Sequence, residues 1–180
     1  MKVTIHTDGG SKSNGSDDSL AAYGSCTRIF QNDKLLERQL YVQRVDGKTN
    51  NQMEMAAFIS ALSSVIKLEL NNIDVEIHTD SAYVMNGLTQ WIPKWRANNW
   101  MTSNKQPVKN VDLWKKLDSF YQNVKTRNEL KIVKVKAHAG HYENEHIDSA
   151  CTWAMENLKD KEYKSQTDKR ENADWKDVWN

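Results

Sequence analysis

A chain of 180 residues, 38% of them apolar, is long enough to form one globular domain with a buried core. Its net charge of +1 names no partner, yet positions 91–136 hold eleven Lys and Arg residues against three Asp and Glu residues. Such a local excess on a nearly neutral chain favours a surface that binds a polyanion.

Two features argue against an extracellular or membrane protein. Cys26 and Cys151 each lie inside an apolar pattern, which is typical of buried thiols in a reducing compartment and not of a disulfide framework. The sequence has no apolar run of transmembrane length, and its start, MKVTIHTD, lacks the apolar core of a signal peptide. We therefore expect a cytoplasmic monomer without membrane contact.

The first part of the chain predicts three strands and a helix. Residues 2–7 alternate in polarity and predict a strand, and the following stretch, GGSKSNGSDDS, predicts a turn-rich loop. The runs AAYGSCTRIF and LLERQLYVQ predict two more strands joined by a short turn. Residues 51–68 change to a helical period, with Met55 and Leu62 on the apolar stripe.

The second part alternates strands and helices. The strand IDVEIHT precedes a predicted helix over 81–92, which Pro93 ends or kinks, and a Trp- and Lys-rich irregular stretch. A helix over 111–124, the strand LKIVKVKA and a helix over 144–158 follow. This order predicts an α/β fold: a five-stranded mixed sheet, with three antiparallel strands and then two parallel ones, and helices on both faces.

The end of the chain differs in composition from the rest. It is highly polar but carries Trp175 and Trp179. We expect residues 1–160 to form one domain and residues 161–180 to form a polar tail that is loosely attached or disordered.

The tetrapeptide IHTD occurs twice, in VTIHTDGG and in VEIHTDSA. It places Asp8 and Asp80 in the same phase just past the apolar part of a predicted strand. If these strands lie side by side and parallel, the two carboxylates end about 5 Å apart, at the carboxyl ends where open sheets place their sites. The Gly pair after Asp8 would let the backbone turn away.

Two further acids fit this site. Glu54 lies one helical turn before Phe58 at the edge of an apolar stripe, and Asp148 lies beside Ile147 on the last helix. An isolated acid at a core-facing edge costs stability unless it is paired or bound to metal. Oxygen ligands without a Cys cluster favour Mg²⁺ or Mn²⁺, and two such ions could assist a phosphodiester displacement.

Five stretches together resemble the type 1 ribonucleases H, in that family's order and spacing. These are IHTDGG, TNNQMEMAA, TDSAYV, WIPKWRANNWMTSNKQPVKNVDLWKKLD and VKAHAGHYENEHIDSA, which cover about residues 1–158. The likeness is to bacterial and phage enzymes that carry a Trp- and Lys-rich insertion, here called the protrusion (residues 91–110). It implies a ribonuclease H fold and an endonuclease that hydrolyses the RNA strand of RNA–DNA hybrids, leaving 5′-phosphate and 3′-hydroxyl ends.

The resemblance also implies roles for single residues. Asp8, Glu54, Asp80 and Asp148 would hold two Mg²⁺ ions, for which Mn²⁺ is a possible substitute. His138 would be the family's mobile catalytic histidine, and a loop histidine can titrate near neutrality.

Substrate contacts are implied at three sets of positions. Contacts to the 2′-hydroxyls of the RNA strand would come from Asn14, Asn50 and Gln52, and from Glu54 itself, and Gly9 is a further substrate-binding position. Contacts to DNA phosphates would come from Thr49, Asn51 and Ser81. The protrusion would supply rings and cations along a sugar-phosphate track, namely Trp91, Lys94, Trp95, Trp100, Lys105 and Lys109. Single turn residues such as Asn14 are as often bystanders, and the tryptophans would also form a small core of their own.

Some positions depart from the family pattern, and two other functions remain open. The loop after Asp8 adds Asp17 and Asp18 near the expected polyanion path, and Ala82 replaces a Gln common in bacterial relatives. A nuclease of the integrase or junction-resolvase kind would keep the fold but is not expected to combine Asn50, His138 and the protrusion. A non-catalytic module that binds hybrid or double-stranded RNA is expected to lack one of the four acids.

Overall fold

Strand pairing in the computed structural model, which describes residues 1–136 and 142–169, creates one mixed six-stranded sheet of order β5-β4-β1-β2-β3-β6. Strand β1 pairs antiparallel with β2 and parallel with β4, which itself pairs parallel with β5. The strands are β1 (Lys2–Lys12), β2 (Leu20–Gln31), β3 (Lys34–Arg44), β4 (Asp74–Thr79), β5 (Glu129–Lys134) and β6 (Tyr163–Asp168).

Helices lie on both faces of this sheet, as the sequence predicts. The helices are α1 (Asn50–Lys67), α2 (Ala82–Asn86), α3 (Ile92–Ala97), α4 (Val111–Arg127) and α5 (Tyr142–Asn157), and a π-helical turn (Gly87–Trp91) joins α2 to α3. In the described parts of the chain, no helix combines the length and the apolar character needed to cross a membrane.

The strands bury different side chains on their two faces. On one face, Val3 and Ile5 of β1 pack with Phe58 and Leu62 of α1 in the larger core, which also includes Trp114 of α4. On the other face, residues of β2, β3 and α5 form a smaller core, which includes both cysteines as buried free thiols. The alternation of a strand therefore directs neighbouring residues of β1 toward two different helices.

The sheet is larger than the sequence predicts. The expected number of five strands is wrong, because Tyr163–Asp168 pair antiparallel with β3 as a sixth strand at the sheet edge. This segment alternates exposed and half-buried side chains without an apolar face, so hydrophobic periodicity gave no signal for it. Trp175 and Trp179 lie outside the described residues.

One local expectation also fails, and one of the two outcomes expected at Pro93 is not observed. The strand β1 does not turn away at the Gly pair, because Gly9 pairs with Tyr23 and Gly10 with Ala22 in a ladder that continues to Lys12. Nor does the helical stretch end at Pro93. The proline falls in the first turn of α3, directly after the π-helical turn, where its missing N–H is tolerated.

Candidate active site

Two parallel strands deliver the first two acids to one place. His6 of β1 lies opposite His78 of β4, and Asp8 and Asp80 each follow two residues later. They therefore keep the same phase: Asp80 directly follows the end of β4, and Asp8 lies just past the last residue of β1 that pairs with β4, while β1 itself continues to Lys12. Both carboxylates line one cavity of about 80 Å³, together with Asp148 of α5.

Gly9 brings α1 close to this end of the sheet. A Cβ atom at this position would lie 2.8 Å from the backbone nitrogen of Glu54, and closer still to the carbonyl of Met53. A side chain here would push the helix away, so the glycine is what allows the helix backbone to approach β1. Glu54 lies in the second turn of α1, at the point of closest approach.

Gly24 plays the matching role on the opposite face. It lies opposite Asp8 in the β1–β2 ladder, and a Cβ atom there would lie 3.2 Å from Ile147 and 3.5 Å from the Cys151 thiol. Helix α5 therefore packs closely over β2 at the level of Asp8. This packing brings Asp148 from the other side of the sheet, so Asp8, Asp80, Glu54 and Asp148 form one group, the acid cluster.

The acid cluster is crowded with negative charge. Burial, and then the charges of Asp80 and Asp148, raise the pKa of Asp8 to about 8, although the Gly9 N–H donates to its carboxylate at 2.9 Å. Burial and the charge of Asp80 also raise the pKa of Glu54. These four carboxylates repel one another, and a bound cation would relieve that repulsion.

Ser81 holds Glu54 in place. Its hydroxyl donates to the Glu54 carboxylate and accepts from the Val84 N–H at 3.1 Å, as the N-cap of α2. The side chain is only 2% exposed. The sequence resemblance assigns Ser81 to a DNA phosphate, which stays a prediction, but both of these contacts engage its hydroxyl inside the protein.

The residues present fit a hard divalent cation. The acid cluster offers only carboxylate oxygens, and the buried Asn144 Oδ1, which lacks a hydrogen-bond partner within the described structure, belongs to a residue that lines the same cavity. Among residues 1–136 and 142–169, no three His, Cys, Asp or Glu side chains form a ready metal-binding group. The carboxylates thus surround a space and do not meet at one point, which is expected of groups that repel one another.

Hydrogen bonds connect the loops beside the acid cluster. Thr49 and Gln52 form a capping box at the start of α1, with both of its hydrogen bonds present. Asn50 donates its backbone N–H to Asn14 Oδ1 at 2.9 Å and accepts from the Ser11 N–H at 2.6 Å. These hydrogen bonds connect the β1–β2 loop to the first turn of α1, where Asn51 is exposed.

A second connection joins α1 to the protrusion. Gln52 Nε2 donates to Asn110 Oδ1 at 3.2 Å, and Asn110 Nδ2 donates to the Tyr83 hydroxyl at 3.3 Å. Asn110 has a φ of 58°, a left-handed conformation that asparagine tolerates better than most residues. The three amides predicted to contact RNA, those of Asn14, Asn50 and Gln52, thus also hold the loops together.

The protrusion is built on aromatic packing. The ring of Trp95 lies 5.7 Å from Trp91, 6.3 Å from Trp100 and 5.5 Å from the fully buried Trp114. Lys115 lies 5.9 Å from the Trp100 ring centre. The three predicted tryptophans are all half-buried, so they support the protrusion, and their contact with substrate stays a prediction.

The cations of the protrusion divide into two kinds. Lys94, Lys105 and Lys109 are exposed and available to a polyanion. Arg96 instead forms a two-fold ion pair with Asp118 of α4, at 2.7 and 2.5 Å, and so anchors the protrusion to the domain.

The histidines of the chain differ in what the structure shows of them. His138, the predicted catalytic histidine, lies outside the described residues, as does His141. His6 is buried and stacks on His78 with ring centres 4.3 Å apart, and His78 Nε2 lies 3.4 Å from Glu76. This pair therefore packs together on the sheet, away from the cavity of the acid cluster.

Several residues of the site carry no simple sequence signal. Asn144 and Glu145 line the cavity of the acid cluster, and Asn144 could have been found because it lies one helical turn before Asp148. The sequence resemblance names Ser81 only as a phosphate contact, and its role as the N-cap of α2 with a bond to Glu54 was missed. Gly24 and Asn110 act through close approach and backbone conformation, which require the three-dimensional fold.

Comparison with known proteins agrees with this fold. The family model described as RNase H matches residues 1–156. The chain is 35% identical to a ribonuclease H of Clostridium botulinum over 156 residues, which is 86% of this chain and 96% of that protein. It is 39% identical to a ribonuclease H of a Caulobacter species over 157 residues, 86% of this chain and 90% of the relative.

Solved structures show the same fold at lower identity. The structure of LC9-RNase H1, a type 1 RNase H with the type 2 active-site motif, aligns with a TM-score of 0.74 and 21% identity over 88% of this chain and 74% of that one. RNase H1 from the halophilic archaeon Halobacterium salinarum aligns with a TM-score of 0.56 and 22% identity, over 88% of this chain and all of that one.

Fold, acid cluster and comparisons define a nuclease domain of the α/β kind. The chain belongs to the ribonuclease H family. The family and the enzyme class predicted from the five sequence motifs, a ribonuclease H, are thereby confirmed.

Proposed function

We propose that the chain is an endonuclease that hydrolyses the RNA strand of RNA–DNA hybrids and leaves 5′-phosphate and 3′-hydroxyl ends. The observation that carries the proposal is that four carboxylates, from β1, the residue after β4, α1 and α5, lie close enough to act on one another's charge. A solved foamy viral protease-reverse transcriptase in complex with RNA/DNA hybrid shares the fold, with a TM-score of 0.70 and 19% identity over 85% of this chain and 20% of that one.

The acid cluster would hold two Mg²⁺ ions through Asp8, Glu54, Asp80 and Asp148, and Mn²⁺ could replace them. When bound, such ions supply positive charge to the attacking and leaving oxygens of the phosphodiester. The protein's own contribution is orientation, because Ser81 fixes Glu54, and the closely packed Gly9 and Gly24 set the spacing of the two helices. His138 would assist proton transfer or product departure.

Substrate binding would be divided between two surfaces. The amides of Asn14, Asn50 and Gln52 suit the 2′-hydroxyls that distinguish RNA from DNA. The exposed Lys94, Lys105 and Lys109 of the protrusion suit the phosphates of the DNA strand. We further propose that the protein works in the cytoplasm, which its buried free cysteines support, and that it works as a monomer.

A comparison of three duplexes tests this function. Labelled RNA–DNA hybrid, double-stranded RNA and double-stranded DNA are offered with Mg²⁺, and Asp8→Asn serves as the inactive control. We expect cleavage of the RNA strand of the hybrid alone. Cleavage of either other duplex at a similar rate, or full activity of Asp8→Asn, would contradict the proposal.

A further inference from the structure

The sheet face next to α1 carries a trough that the acid cluster does not use. Its floor is formed by β2, β3 and β6, its wall by α1 and α4, and its volume is about 720 Å³. On the opposite face β2 and β3 present Cys26 and Val42 to α5 in an apolar core. The trough face instead presents tyrosines, hydroxyl groups and amides, so its composition is not that of a core surface awaiting a helix.

Two tyrosines, Tyr23 and Tyr41, lie on the floor of the trough, and a third ring packs beside them. Tyr23 and Tyr41 lie 6.0 Å apart between ring centres, and Tyr163 of β6 stacks on Tyr41 at 5.7 Å with an interplanar angle of 25°. Both Tyr23 and Tyr41 donate their hydroxyls to Gln43 Oε1, at 2.6 and 3.0 Å. These bonds hold two rings in place before any ligand binds, while Tyr163 is 61% exposed.

The charge of the trough is of one sign. Among the described residues that line it, Lys67 of α1 and Lys116 of α4 are cationic and none is acidic. Both lysines are exposed, and the remaining polar lining consists of Ser, Thr and Gln side chains. Aromatic rings, neutral hydrogen-bonding groups and cations together match the bases and phosphates of an unpaired nucleic-acid strand.

The trough is continuous with the region near the acid cluster. A second cavity of about 520 Å³ shares Tyr23, Ala56 and Leu113 with it and reaches Gln52 and Asn110, beside the start of α1. Because α1 has 18 residues, the two cavities together follow a path of up to about 27 Å along that helix. A strand that leaves a duplex near the acid cluster could therefore continue into the trough.

We propose that this trough binds a single-stranded nucleic-acid segment, such as an unpaired end that extends from a hybrid duplex. Tyr163, whose ring stacks on Tyr41 beside the trough, belongs to β6, which follows the 1–156 segment matched by the family model. The inference goes beyond hybrid cleavage, and it is tested by binding in the absence of metal, so its failure and that of the proposed function are distinguishable.

The first test uses fluorescence anisotropy with a labelled ten-nucleotide thymidine strand, in EDTA, over a range of salt concentrations. Replacing both lysines (Lys67→Ala with Lys116→Ala) removes two phosphate contacts. The slope of log K against log salt should fall in magnitude by about 1.4, because each contact to a single strand contributes about 0.7. The matched control, Lys125→Ala with Lys131→Ala, changes the net charge equally at exposed positions outside the trough.

The second test concerns the rings. Tyr163→Ala should weaken binding of the same strand at least about fivefold, whereas Tyr163→Phe, which keeps the ring, should bind as the unchanged protein does. Cleavage of a blunt hybrid should stay unchanged in all these variants. A hybrid with a ten-nucleotide DNA overhang should bind more tightly than a blunt one, and the lysine variant should lose that gain.

Three results would overturn the inference. The first is an equal slope change in the lysine variant and its control, which would assign the effect to net charge. The second is equal affinity for overhanging and blunt hybrids. The third is displacement of the strand by an equal concentration of thymidine monophosphate, which would make the trough a site for free nucleotides.

Discussion

The acid cluster and the protrusion treat charge in opposite ways. At the acid cluster, close packing at Gly9 and Gly24 accompanies burial and crowding of like charges, and burial, followed by the charges of Asp80 and Asp148, raises the pKa of Asp8 to about 8. In the protrusion the buried part is aromatic and the lysines remain at the surface, where water keeps them charged at little cost.

This difference shows how one fold separates the residues expected to act in catalysis from those expected to bind the substrate. Fixed, crowded carboxylates lower the stability of the folded protein unless a bound cation offsets their repulsion. Substitutions there should therefore change the catalytic rate, metal binding and stability. Exposed lysines cost almost nothing and act through long-range attraction, so substitutions there should change affinity and its dependence on salt.

Asp80→Asn should have the largest effect on rate. It removes one charge from the acid cluster while keeping the shape of the side chain. We expect kcat for hybrid cleavage to fall by at least about a hundredfold, whereas hybrid affinity stays nearly unchanged. Single-turnover kinetics with a separate binding titration distinguish the two, and retention of kcat would show that Asp80 is not part of the chemistry.

Ser81→Ala should have the next largest effect. The loss of its hydrogen bond frees the Glu54 carboxylate, and we expect a fall of about ten- to a hundredfold in Mg²⁺ affinity or activity. Loss of the α2 cap should also cost about 1 kcal/mol of stability. Thr89→Ala is the control, because its hydroxyl donates to Met85 O within the adjacent helical segment at 2.8 Å. A change in stability without a shift in the Mg²⁺ dependence would rule out the positioning role.

Gly9→Ala and Gly10→Ala compare two neighbouring glycines of one strand. A Cβ atom at Gly9 would collide with the backbone of α1, while at Gly10 the nearest atom, Asn50 Oδ1, is 3.9 Å away. We expect Gly9→Ala to lower the free energy of unfolding by about 1–3 kcal/mol and to reduce activity. Gly10→Ala should leave both nearly unchanged, as measured by urea unfolding. Equal effects would mean that the close approach of α1 is not needed.

The sequence predicted the parts of this molecule that follow strong periodicity. The position of Asp8 and Asp80 followed from the apolar alternation of two short strands, and α1 followed from its helical stripe. What was missed depends on partners distant in sequence. Gly9 and Gly10 resemble a turn when only their neighbours are considered, yet pairing with β2 keeps them in the strand.

The strand at the edge of the sheet also could not be predicted from its own sequence. Strand β6 consists of polar residues, and its pairing with β3 supplies the hydrogen bonds that its side chains do not predict. The Ser81 contact with Glu54 likewise joins two residues that are 27 positions apart. No local pattern contains either contact.

The stability of the metal-free protein should depend on pH through Asp8. Its pKa rises from 3.8 to about 8 on folding, so the folded carboxyl keeps its proton over a range where the unfolded one is ionised. Stability should therefore fall as the pH rises from about 4 to about 8. In EDTA, Asp8→Asn should melt several degrees above the unchanged protein at pH 8 and at nearly the same temperature at pH 4. A constant difference across this range would contradict the raised pKa.

Lys105→Ala should have the smallest effect and should leave kcat unchanged. Lys105 is an exposed cation of the protrusion. Because its loss removes one attraction to a phosphate, it should weaken hybrid binding severalfold at low salt. The slope of log K against log salt should fall in magnitude by about 1, because one phosphate contact is lost. Lys34→Ala, at the exposed β2–β3 turn, provides the control for net charge. If both variants lowered the slope equally, Lys105 would affect binding only through the net charge of the protein. Lys105 would then not be a specific contact to the substrate.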